Sequence, residues 1–149
     1  MTTEEIVQLI TDFVPFDETD LDRDNESFFY NLMEHLEKNS DSEKAIKPIF
    51  LLIEKYPQAE FGSPGPLVHT LETFTGRYEK ELFNSLDRKP TSLTVWMLNR
   101  IINAEKDVAI KKEELRKLIS VLSHSDLDEE TRAATLNFIT FQQKFTWAH

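Results

Sequence analysis

Apolar residues recur along this chain at helical spacing. Ile6, Leu9, Ile10 and Phe13 form one stripe, and Thr2 with Glu5 supplies a capping-box pair ahead of it. Phe28, Phe29, Leu32, Met33 and Leu36 repeat the pattern and predict a second helix. A third is expected from Ser40, with Glu43 as box partner, through "IFLLIEKY" to Pro57. Pro48 inside that segment predicts a kink, or a start near Lys47. Gly62-Ser63-Pro64-Gly65-Pro66 makes a turn feeding a helix from about Pro66 to Phe74, and "YEKELFNSLDR" follows as a fifth. Thr91 or Ser92 caps a sixth, where Leu93, Val95, Trp96, Met97, Leu98, Ile101 and Ile102 surround the axis. A helix apolar on nearly all sides belongs in the interior, with Trp96 buried. Val108, Leu115, Leu118, Ile119 and Leu122 mark a seventh. Asp126 with Glu129 caps an eighth, whose inner stripe reads Ala134, Phe138, Phe141 and Phe145.

No strand pattern competes with these segments. The expectation is an all-α fold of seven or eight helices in antiparallel pairs, a degenerate HEAT- or armadillo-like array without a clean repeat. The 149 residues suit one helical domain, 1–149. An acidic segment at about 14–26 joins the first two helices and is longer than an ordinary helix–helix connection.

Composition agrees. Gly 3 and Pro 6 are too few for a turn-rich β-sandwich. No apolar run reaches the roughly 18 residues of a membrane span. "MTTEEIVQLITDF" lacks the basic region and apolar core of a signal peptide, so a cytoplasmic location is expected. The absence of cysteine removes disulfides and thiolate chemistry and weakens any zinc reading.

Charge changes the picture more. The net charge is −10, and residues 1–43 hold thirteen of the 27 acidic side chains against two basic ones, Arg23 and Lys38. The remaining residues are nearly balanced. Nucleic acid and anionic lipid are repelled by such a surface, and a basic protein is attracted. The densest run is "FDETDLDRDNE", Phe16–Glu26, which offers Asp17, Glu18, Asp20, Asp22, Asp24 and Glu26.

Three readings of that run compete. A calcium loop starting at Asp20 places Asp22 and Asp24 correctly, but Asn25 stands where a glycine is needed and Asn31 where a closing glutamate is needed. A solvated linker is the ordinary meaning of an isolated acidic run. The third is a protein interface, favoured because Phe13, Phe16, Leu21, Phe28, Phe29 and Tyr30 are interleaved with or flank the charges.

Catalytic patterns are poor. His35, His69, His124 and His149 are far apart, and His69 is expected to be a hydrogen-bonded structural histidine. Pro64 and Pro66 remove backbone donors that a phosphate loop at Gly62 and Gly65 would need. Lys106, Lys111, Lys112, Arg116 and Lys117 are interspersed with Glu105, Asp107, Glu113 and Glu114, which reads as a salt-bridged solvent face rather than a nucleic-acid surface. Phe145 and Trp147 either close the last helix, the favoured reading, or form an exposed anchor. The expectation is a non-enzyme with no cofactor and no metal.

"EFGSPGPLVHTLETF" and "YEKELFNSLDRKPTSLTVWMLNRIIN" resemble a group of small bacterial all-helical proteins associated with immunity in polymorphic-toxin systems, including contact-dependent growth inhibition. Gly62-Ser63-Pro64-Gly65-Pro66, Arg88-Lys89-Pro90-Thr91 and Thr94–Arg100 carry the likeness, over roughly residues 60–103. The acidic segment lies outside it. The resemblance implies a cytoplasmic protein that binds and blocks a toxin domain. Many such toxins are cationic nucleases, for which an acidic surface is complementary. The alternative is a helical adaptor or regulatory module with no toxin partner.

Overall fold

The computed structural model describes residues 1–146, with side chains through Lys144. The Phe145 side chain, Trp147 and His149 lie outside the described residues. Eight α-helices and no strand occur among those described: α1 Thr3–Asp12, α2 Asn25–Glu37, α3 Ile46–Lys55, α4 Gly65–Glu72, α5 Tyr78–Arg88, α6 Ser92–Ala104, α7 Val108–Ser120 and α8 Glu129–Thr146. The fold is all-α. The chain divides into two compact units, residues 1–81 and 82–149, with the boundary inside α5.

Local chemistry sets the helix starts. Thr2 and Glu5 form the reciprocal capping box of α1, with Glu5 N–H donating to Thr2 Oγ1 at 3.1 Å. Thr91 caps α6, taking the Thr94 N–H. The third helix begins near Lys47, as one reading of Pro48 required: a 3₁₀ turn over Ser42–Ala45 precedes α3, and Pro48 sits in its first turn, where a missing N–H costs nothing. Ser40 is therefore not its cap. The neighbouring Asp41 instead accepts the Thr3 hydroxyl at 2.6 Å, and that bond holds its carboxyl below the ordinary range. The cap of α8 is Asp128 rather than Asp126. It takes both the N–H and the hydroxyl of Thr131, whereas Asp126 pairs with Lys89.

In the first unit α1 packs on α3, and α2 packs on α4 more extensively than on α1, so alternate helices make the broader contacts. Ile6 and Ile10 of α1, Phe29 and Leu36 of α2, Ile49, Phe50 and Ile53 of α3, and Leu67 and Leu71 of α4 are fully buried. Each such side chain contributes about 1.5–3 kcal/mol of transfer free energy.

In the second unit α6, α7 and α8 pack mutually. Val95, Leu98 and Ile102 of α6 and Leu115 and Leu118 of α7 fill the interior with Leu82 and Leu86. Trp96 is only half-buried, and the Arg100 guanidinium lies 4.9 Å from its ring centroid one helical turn later. The inner stripe of α8 also differs from expectation. Thr131, Thr135, Ile139 and Gln142 face inward, while Phe141 is 47% exposed. Gln142 Nε2 donates to Asn99 Oδ1 at 2.8 Å and to Asn103 Oδ1 at 2.6 Å, so a buried amide seam ties α8 to α6. On the basic face of α7, Arg116 pairs with Glu113 and Lys117 with Asp87.

A candidate protein-docking surface

The segment between α1 and α2 is held from below by aromatic rings. Phe13 at the end of α1 lies 4.6 Å from Phe29 and 5.2 Å from Phe28 by ring centroids, and Phe16 meets both Phe13 and Phe28 edge-on at 5.7 Å. Phe61 closes the cluster against Phe29. Edge-on and offset pairs of this kind add about 0.5–1.5 kcal/mol each beyond burial. Asn25 ties the segment twice more, accepting the Phe16 N–H at 2.8 Å and donating to the Glu60 carbonyl at 3.1 Å.

From above, the segment is folded by its own carboxylates. Asp17 accepts the Thr19 N–H and hydroxyl at 2.8 and 2.7 Å. Asp20 Oδ1 takes the N–H groups of Asp22 and Arg23, and its Oδ2 pairs with Arg23 Nε at 3.0 Å. Donors aimed at an anion favour the ionised form. The Thr19 N–H holds Asp17 below the usual carboxylate range, and the Asp22 N–H followed by Arg23 does so for Asp20. Asp24 is the N-cap of α2, accepting the Ser27 N–H at 2.8 Å. Arg23 pairs through Nε with Asp20 and lies 4.9 Å from the Phe16 ring centroid.

The six carboxylates thus have different uses. Asp17, Asp20 and Asp24 shape the loop, Glu18 and Asp22 are exposed, and Glu26 is half-buried. The Glu26 carboxyl lies over Gly62, where an added Cβ would approach it to 3.1 Å. Leu21 is 98% exposed among these charges. Beside the loop is a groove of about 420 Å³, walled by Leu9, Phe16, Phe28 and Leu32, with Asp22 and Asp24 among its lining residues.

The calcium geometry is absent here because α2 begins at Asn25. Everything after the first five loop positions is helix and cannot wrap an ion. Among the described residues no three His, Cys, Asp or Glu side chains converge to hold a metal. No described helix is long and apolar enough to cross a membrane.

His69, expected as a hydrogen-bonded structural histidine, is exposed on α4. The histidine that does bond to structure is His124. Its Nε2 lies 2.8 Å from the Asp87 carbonyl, and its Nδ1 accepts the Asp126 N–H at 2.9 Å. With Nδ1 accepting, the Nε2 beside the Asp87 carbonyl is the donor, and both ring nitrogens are engaged in holding the turn. A cavity of about 280 Å³ is lined by His124 together with Asp87, Lys117, Ser120 and Ser123.

Sequence reasoning passed over two residues that matter here. Asp24 as a cap was visible, being an aspartate immediately ahead of a helical stripe. Asn25 as a double tie was not, since its acceptor Glu60 lies 35 residues away. Comparison of the chain with protein-family models, curated proteins and solved structures finds no match.

Proposed function

We propose that this chain is a non-catalytic binding protein that captures a basic protein on its acidic loop, acting in the cytoplasm as an immunity protein that neutralises a toxin domain. The observation that carries the binding reading is the loop itself. Its carboxylates are concentrated and fixed by hydrogen bonds and aromatic packing, with Leu21 projecting into solvent. A mobile linker needs none of those bonds. The toxin reading draws on the resemblance over residues 60–103 and on charge: a nuclease must carry a cationic cleft, which this surface complements.

The test is co-expression with the C-terminal domain encoded beside the gene for this chain. Growth should be rescued and the two proteins should co-purify. With Asp17, Glu18, Asp20, Asp22 and Asp24 changed to amides, the association rate at low salt should fall about tenfold or more. The loss should shrink as the Debye length drops below about 8 Å. Native association rates across the salt range would remove the loop from the interface. A non-toxic neighbour that does not bind would remove the immunity reading.

A further inference from the structure

We propose that the groove between α1 and α2 seats one bulky apolar side chain carried on a cationic segment of the partner. This deepens the docking reading above and rests on it. The groove joins an apolar wall to an acidic rim. Its walls are apolar and come from three separate stretches: Leu9 on α1, Phe16 on the loop, and Phe28 and Leu32 on α2. Its lining also includes two acids, Asp22 and Asp24. Arg23, the cation of the loop, lines the groove between them, paired with Asp20 and set against the Phe16 ring, so Asp20, Asp22 and Asp24 together leave this patch net negative.

Interface hot spots have this anatomy: a water-excluding apolar seat for a large side chain, ringed by polar groups that fix orientation. The acids select the occupant. A fatty acid or a nucleic acid would bring negative charge against Asp22, Asp24 and the excess of the whole N-terminal third. A lysine- or arginine-flanked tryptophan, phenylalanine or leucine satisfies both walls and rim. Leu21, next to Asp22 and fully in solvent, gives such a segment a second apolar contact.

The experiment titrates the whole, isotope-labelled chain with the capped peptide KKWKK, and with KKAKK and EEWEE as comparisons, following backbone amide shifts. KKWKK should give saturable shifts at Leu9, Phe28, Asn31 and Leu32, and KKAKK should bind about tenfold or more weakly. EEWEE should not saturate. Asn31→Trp places a ring over the groove from an exposed lining position and should weaken KKWKK by about tenfold or more. If that variant does not fold, Leu9→Gln, at a position already 39% exposed, serves in its place.

Equal binding of KKWKK and KKAKK, or native binding after either groove substitution, overturns the groove. If binding still falls on changing Glu18 and Asp22 to amides, the acidic docking reading survives that result. Binding indifferent to both kinds of variant removes both. EEWEE binding as well as KKWKK overturns the cationic assignment, and the lack of any saturable shift overturns the seat itself.

Discussion

Replacing Glu114 with glutamine should stabilise this protein, and only above acid pH. Glu114 sits on the inner face of α7, 8% exposed, with its Oε2 buried and without a hydrogen-bond partner. Burial, then the hydrogen bond to Glu105 and the charge of that residue, raise it from the ordinary 4.5 to about 7. Lys111 opposes the shift only in part. The folded value is above the unfolded one, so the folded state binds the proton more tightly. Below about pH 4.5 both states hold it and the residue carries no penalty. Between about 4.5 and about 7 the unfolded chain releases it first, and stability falls as pH rises. Above about 7 the penalty is complete and constant. Full conversion of that shift is about 3 kcal/mol, and solvent reaching the pair trims it to about 1–3 kcal/mol. Glutamine remains neutral and can still donate to Glu105. Urea unfolding followed by circular dichroism should therefore show Glu114→Gln gaining about 1–3 kcal/mol near pH 8 and almost nothing near pH 4.5. Glu113→Gln, exposed and paired with Arg116, serves as the control and should show no such pH-dependent gain. A loss of stability near pH 8, or an offset equal at both pH values, would refute the burial argument.

Gly62→Ala should be far worse than Gly76→Ala, although both positions have positive φ. At Gly62 the new methyl would lie 2.5 Å from the Gly65 Cα, whereas at Gly76 it meets nothing within 4 Å. Thermal or urea unfolding should give a cost of about 1–2 kcal/mol at Gly76 from backbone strain, and at least about 3 at Gly62. Equal costs would mean that the turn relaxes freely. Gln142→Ala should cost about 1–3 kcal/mol by leaving the buried Asn99 oxygen unpaired. Combined with Asn99→Ala the losses should be clearly less than additive, and a double-mutant cycle showing additivity would count against the seam. Calcium titration calorimetry should detect no site tighter than about millimolar, and a stoichiometric micromolar site abolished by Asp20→Ala would contradict the loop geometry.

Helix boundaries were most legible where the signal is local. The Thr2–Glu5 box, the Thr91 cap and the Tyr78–Arg88 segment stand as their residues predict. Where two local signals competed, the choice went astray. Asp126 and Asp128 both precede a helical stripe, and the one with a threonine three residues on became the cap. Hydropathy misread α8 because small hydroxyls pack inward when they bond the previous turn, as Thr135 does to the Thr131 carbonyl at 2.7 Å. Apolarity on nearly all sides of α6 likewise does not tell that the Trp96 ring stays part-exposed beside Arg100. The acidic run was legible as a candidate surface. Its order was not, because half of the bracing comes from Asn25, Phe28 and Phe61, whose contacts depend on how the helices come together.

The loop between α1 and α2 carries three solvent-facing side chains that take no part in holding its shape. Phe16, Asp17, Asp20, Asp24 and Asn25 make the bonds that fix its path. Glu18, Leu21 and Asp22 face solvent. Exchanges at those three positions should move stability by no more than about 0.5 kcal/mol, since they disturb no brace. Such a frame can be rewritten. If the loop docks a protein as proposed, a lineage can alter the charge and apolarity it offers at these three side chains while the path of the chain beneath them stays the same.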